Sequence, residues 1–154
     1  MLNQTITEKD VKLLLRKDEL IRMEKMQIGK NIDEIIHSLY EEIISNITHT
    51  FTFEQKTNKK LYYSKDLATL IQIRYIDRLL RRFYKVKQTN RTKVIKQLVN
   101  ILQESNEYYL TKIDIRSFYE SIDRYKLLNK ITNDAYLSKS NIEIVQSLLN
   151  ACTN

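Results

Sequence analysis

Tyr108-Tyr-Leu-Thr-Lys-Ile-Asp-Ile-Arg-Ser-Phe-Tyr-Glu-Ser-Ile-Asp123 reads as a strand running into a helix, within a chain otherwise patterned for helices. From 109 to 115, Tyr109, Thr111, Ile113 and Ile115 fall on one face, and Leu110, Lys112 and Asp114 on the other. Ser117 is placed to cap a helical turn, and Glu120 three residues on completes a capping box. Asp114 stands between two isoleucines. A carboxylate in that position is costly to bury alone, so it either stays at the surface or holds a cation. This strand makes the expected fold α+β rather than all-α.

Upstream, the pattern is helical. Thr7 with Asp10 opens a helix expected over 8–28, with Val11, Leu14, Ile21 and Ile28 near the helical period and Gly29 ending it. Residues 31–48 form the clearest helix, with Ile32, Ile35, Ile36, Leu39, Ile43 and Ile47 on one stripe. Residues 49–63 break the period, and 56–60 read as a basic surface loop. A helix over 65–83 places Leu67, Ile71, Tyr75 and Leu79 at steps of four. Residues 84–88 alternate as a short extended stretch. Thr89 or Asn90 then caps a helix over 91–104 whose buried face would be Val94, Ile95, Leu98, Ile101 and Leu102. A last helix is expected to begin with a Ser140/Glu143 capping box and to carry Ile144, Val145, Leu148 and Leu149.

The composition sharpens this reading. The chain has 154 residues with one Gly and no Pro, where about eighteen of the two together would be ordinary. Gly-rich phosphate loops are excluded, and turn-rich β folds are disfavoured. One cysteine, Cys152, cannot form an internal disulfide, and no apolar run is long enough to span a membrane. With no charged-then-apolar leader at its start, the chain is expected to be soluble, intracellular and cytoplasmic. Asn46-Ile-Thr48 and Asn90-Arg-Thr92 are then chance matches to the glycosylation pattern. His37 and His49 lack ligand-spaced partners, and Asp123 is expected to pair with Arg124 or Lys126 rather than with metal.

The charge is +7, and it is concentrated. Arg74, Arg78, Arg81 and Lys85 follow helical steps, with Arg82 beside them and Lys87 and Arg91 just beyond. Such a cluster is either a solvated charged face or an anion-binding surface. With few acids nearby in sequence, the cations should repel one another unless something anionic is close. Tyr75, Phe83 and Tyr84 interleaved with them favour nucleic acid or nucleotide phosphates over a membrane.

Lys112-Ile-Asp-Ile-Arg-Ser-Phe-Tyr-Glu-Ser-Ile122 closely resembles the first catalytic motif of the reverse transcriptase palm, in the retron, group II intron and abortive-infection branches. Members of those branches read Asp-Ile, two variable residues, two aromatics, an acid, Ser, Ile. Tyr84-Lys-Val-Lys-Gln-Thr-Asn-Arg91 is similar, more loosely, to the fingers segment of the defence-associated branch. The resemblance covers about residues 70–150. It implies a helical N-terminal extension over 1–65, a basic fingers-like segment over 66–106, and a partial palm over 107–154 with a short central strand.

At matching positions the resemblance implies that Asp114 is the first metal-binding carboxylate and that Ile115 offers its backbone carbonyl to Mg²⁺. Paired ions of this kind activate the attacking 3′ hydroxyl and stabilise the leaving pyrophosphate. Tyr119 or, alternatively, Phe118 would lie under the incoming sugar, and Arg116 near the triphosphate. Lys85, Lys87 and Arg91 would meet triphosphate or template phosphates, and Arg74, Arg78, Arg81 and Arg82 would meet nucleic acid. The implied partners are an RNA or DNA template-primer, deoxynucleoside triphosphates, and the remainder of the polymerase or a second copy of the chain. Anti-phage defence follows from the branch.

One departure bears on activity. The second carboxylate pair of such enzymes comes from a Tyr-x-Asp-Asp turn, and no adjacent Asp-Asp occurs in this sequence. The chain is therefore expected to be a fragment, inactive alone, whose central strand lacks its usual neighbours and stands as an exposed edge or pairs irregularly. A non-enzymatic helical module binding RNA or DNA is the alternative, and a decayed remnant with exposed apolar surface a third.

Overall fold

The computed structural model describes residues 4–27, 29–45, 49, 51–56, 59–86, 90–104, 107, 109, 111, 113, 118 and 121–151. Among these lie seven helices and two strands: α1 (Glu8–Leu14), α2 (Lys17–Met26), α3 (Ile32–Ser45), β1 (Thr52–Lys56), β2 (Lys59–Tyr63), α4 (Leu67–Phe83), α5 (Arg91–Leu102), α6 (Arg124–Asp134) and α7 (Lys139–Ala151). The fold is α+β and helix-dominated. No helix among the described residues is long and apolar enough to cross a membrane.

The helix expected over 8–28 is two helices. Thr7 caps α1 in a capping box with Asp10, and the backbone turns extended at Leu15 and Arg16. A second helix starts there, the Glu19 carboxylate accepting from the Arg16 N–H at 2.9 Å. Breaking the helix leaves the Leu14 carbonyl without its intrahelical partner, and Arg74 Nη1 of α4 donates to it at 2.9 Å. An interaction 60 residues away thus occupies the break, which is why the local periodicity does not reveal it.

Asn31 and Glu34 close a reciprocal cap on α3, and Ile35, Ile36, Leu39 and Ile43 are buried as expected. Ile32, expected on the same stripe, is exposed, and Ile47 lies outside the described residues.

The stretch that breaks the helical period holds two strands, and Lys56, Lys59 and Lys60, expected in a basic surface loop, belong to them, while 57 and 58 lie outside the described residues. β1 and β2 pair antiparallel with Phe53 opposite Tyr62, their rings 6.1 Å apart. Thr, Phe and Tyr suit a pleated surface, and a facing aromatic pair stabilises it. This is the only sheet among the described residues.

Asp66 caps α4 by accepting from the Ala68 and Thr69 N–H groups, and α4 is the spine of the molecule. Its first half packs Ala68 and Ile71 against Val11 of α1 and Ile36, Leu39 and Ile43 of α3. Its second half packs Tyr75, Ile76 and Leu79 against Ile131 of α6, Leu137, and Val145 of α7. A polar link joins the two halves. Gln72 donates to the Ile43 carbonyl at 3.0 Å and thereby turns its own carbonyl oxygen toward His49 Nε2, which donates to it. In the neutral ring, His49 Nδ1 is then the acceptor, facing the Ser147 hydroxyl of α7 at 2.8 Å.

Two expectations about the later helices are corrected. Asn90 does cap α5, but the face expected to be buried is not: Val94, Ile95, Ile101 and Leu102 are each 46–48% exposed, and Leu98 is only partly buried. The helical period identifies an apolar face, and nothing among the described residues covers it. α7 begins at Lys139, with the Ser138 hydroxyl accepting from the Asn141 N–H, so Ser138 takes the capping place expected of Ser140. Asp123 pairs with Lys126 at 3.7 Å as expected, and it also caps α6, a helix the sequence pattern does not announce.

Candidate nucleic-acid and nucleotide interface

The basic residues of α4 do share a side of the helix, and the structure supplies the acids that the local sequence lacks. Arg74 forms a two-pronged pair with Glu19, Nη1 to Oε2 at 2.7 Å and Nη2 to Oε1 at 2.5 Å, with side chains only 20% and 12% exposed. The hydrogen bond from Arg74 holds the Glu19 carboxyl below its ordinary range, and the same bond raises Arg74. Arg78 reaches Asp10 of α1 at 3.3 Å. Arg81 folds back on Asp77, one turn earlier, at 2.8 Å, a bond that raises its pKa.

The anions that relieve this cluster are therefore the protein's own. Glu19 and Asp10 are distant in sequence, so counting acids only along 74–85 misses them. Arg74 is committed to holding the α1–α2 break against α4, and Arg78 and Arg81 are engaged at the surface, where such pairs are weak and can be exchanged for another anion. Arg82 and Lys85 are exposed, as are Arg91, Lys93 and Lys96 on α5.

Residues 84–86 are not an extended stretch. Tyr84 ends α4, and Lys85 takes a left-handed backbone with φ of 50°. Lys87 lies outside the described residues, as do Asp114, Ile115, Arg116 and Tyr119, and with them the expected central strand and the Ser117/Glu120 cap. Around that motif, Tyr109 and Ile113 are 99% and 83% exposed, and Phe118 is about half exposed. Among the described residues no three His, Cys, Asp or Glu side chains gather in a way that could hold a metal ion. His37 faces Glu8 at 2.6 Å, which raises its pKa.

One cluster was not anticipated. The Tyr84 hydroxyl donates to Asp134 Oδ2 at 2.6 Å, and Lys130 pairs with the same carboxylate at 3.1 Å. Burial, followed by the bond to Asp134, pushes Tyr84 up to about 12, while Tyr84 and Lys130 hold Asp134 low. The Tyr136 ring stacks on Phe83 with centroids 6.0 Å apart and planes 12° off parallel, and meets Tyr84 edge-on at 5.5 Å. Phe83 and Tyr84 stand out in the sequence among the cations, but Tyr136, 52 residues on, carries no local signal.

No protein-family model, curated protein or solved structure matches the chain.

Proposed function

We propose that this chain handles nucleic acid and nucleotides as the fingers and first palm segment of a reverse transcriptase, an RNA-directed DNA polymerase. The observation that carries the proposal is the sequence Lys112–Ile122, with its acid, paired aromatics and spaced isoleucines, downstream of a basic segment. In this reading Asp114 and the Ile115 carbonyl hold Mg²⁺, which when bound supports attack of a primer 3′ hydroxyl on a deoxynucleoside triphosphate. Arg116, Lys85, Lys87 and Arg91 take phosphate charge, and Tyr119 or Phe118 lies against the sugar. Arg82 and Lys85 at the end of α4 are exposed, as are Arg91, Lys93 and Lys96 on α5. The residues of the second carboxylate pair come from elsewhere, from the remainder of a polymerase or a second copy. Anti-phage defence is the biological setting that the branch resemblance suggests.

The test is crosslinking of a photoreactive deoxynucleoside triphosphate to the chain with and without Mg²⁺. Labelling that is Mg²⁺-dependent and falls about tenfold or more in Asp114→Ala is expected; equal labelling of the variant overturns the proposal. A second reading, a non-enzymatic helical module for RNA or DNA, is favoured by the exposure of Arg82, Lys85, Arg91, Lys93 and Lys96. It predicts salt-sensitive binding that needs no metal and survives Asp114→Ala.

A further inference from the structure

We propose that Tyr136 is a stacking platform for an unpaired nucleobase, held by the converging ends of α4 and α6; this presupposes the nucleic-acid binding proposed above. Tyr136 remains 49% exposed although it stacks on Phe83 and meets Tyr84 in a T-shaped contact. An aromatic ring backed by a second, nearly parallel ring offers its outer surface to a third flat group, and every base has such a face.

The ring is held in place from three directions. From below, Phe83 and Tyr84 fix its tilt, and Tyr84 is itself tied to Asp134. From the side, the Gln4 side chain brackets the Tyr136–Ser138 backbone: its Nε2 donates to the Tyr136 carbonyl and its Oε1 accepts from the Ser138 N–H, both at 2.7 Å. Asn141 Nδ2 donates to the Gln4 carbonyl at 3.0 Å and locks the bracket to α7. From behind, Ala135 ends α6 in a left-handed conformation, φ 53° and ψ 26°. Lys85 beside Tyr84 does the same with φ of 50°. Both residues carry a Cβ, so each conformation costs about 1 kcal/mol. The two strained turns flank the aromatic cluster, one on each contributing helix.

The charge around the platform suits a strand of phosphates. Arg82 immediately precedes Phe83 and Lys85 follows Tyr84, and both are exposed. The one acid in the cluster, Asp134, is already engaged by Tyr84 and Lys130. A base stacked on Tyr136 would leave its flanking phosphates to these cations. Exposed cations beside an exposed, backed aromatic ring match the alternating phosphates and bases of a single strand, so a single-stranded nucleic acid is the ligand class.

The experiment compares fluorescently labelled oligo(dT) with a strand of equal length made of abasic residues, by anisotropy at low salt. The full chain should bind oligo(dT) about tenfold more tightly than the abasic strand. Tyr136→Leu, its fold checked by circular dichroism, should lose that preference while still binding the abasic strand as the wild type does. Tyr136→Phe should keep the preference. Equal affinity of the wild type for both strands overturns the platform and leaves nucleic-acid binding standing. So does an undiminished preference in Tyr136→Leu. Binding of neither strand overturns both, as does binding only to phosphatidylserine vesicles.

Discussion

Helices α4 and α5 carry the same kind of pattern and meet different fates. Each is amphipathic, opened by an Asx cap, and rich in cations. α4 packs on α1, α3 and α7 and buries Ile71 completely. α5 follows it after a few residues, yet five of its six aliphatic side chains stay about half exposed. The difference lies outside either helix. α4 meets apolar faces from both ends of the chain and an arginine partner in Glu19, whereas α5 has no neighbour among the described helices and strands. A hydrophobic period states that a face needs covering, and only the rest of the molecule states whether it is covered.

The largest test of this contrast is Ile71→Ala. It should cost about 3 kcal/mol, because a fully buried isoleucine leaves a cavity between α3 and α4. Urea denaturation followed by circular dichroism measures it, and a loss below about 1 kcal/mol would show that α4 is not the spine. Next is Arg74→Ala, expected to cost about 2 kcal/mol by stranding the half-enclosed Glu19 carboxylate and the Leu14 carbonyl.

The same pair gives a pH dependence. Glu19 is lowered from 4.5 in the folded chain, so its stabilisation is complete above 4.5 and is lost as pH falls through the depressed folded value. Stability curves measured between pH 6 and 3 should converge for wild type and Arg74→Ala at the acid end; a constant gap would assign the Arg74 effect to packing instead.

For α5 the expected effect is small. Ile95→Ala and Leu102→Ala should each change stability by no more than about 0.5 kcal/mol in either direction, since little burial is lost and alanine favours a helix. A cost above about 1.5 kcal/mol in either variant would reveal that something covers the face in solution. The smallest effect is at the surface of the packed half. The bond to Glu8 raises His37 above 6.5, so this bridge stabilises below 6.5 and fades as pH rises through the raised value. Glu8→Gln should bring the His37 midpoint, followed by NMR of the ring proton, back toward 6.5.

Much of the helical content is legible from local chemistry. The caps at Thr7 and Asn90, the stripe through Ile35, Ile36, Leu39 and Ile43, and the step-of-four face of α4 all follow from residues within a turn or two. The break between α1 and α2 was hidden because a residue 60 positions away satisfies it. The two strands were not legible because 49–63 shows only a broken helical period, with the lysine-rich 56–60 reading as a basic loop. At the candidate site, Arg82, Lys85 and Arg91 stand exposed as the charge pattern suggested. Arg74, however, works inside the fold.

The sequence by itself determined neither the helix Arg124–Asp134 nor the break between α1 and α2. It did determine helical patterns over most of α1–α5 and α7, the caps at Thr7 and Asn90, and a band of cations along one side of α4. These are local matters of period, cap and charge. Which apolar faces would find partners, which arginines would be spent on internal carboxylates, and that Tyr136 would lie on Phe83 were decided only by tertiary structure. The reason is physical: burial and ion pairing depend on which surfaces meet, and the surfaces meeting here come from residues dozens of positions apart.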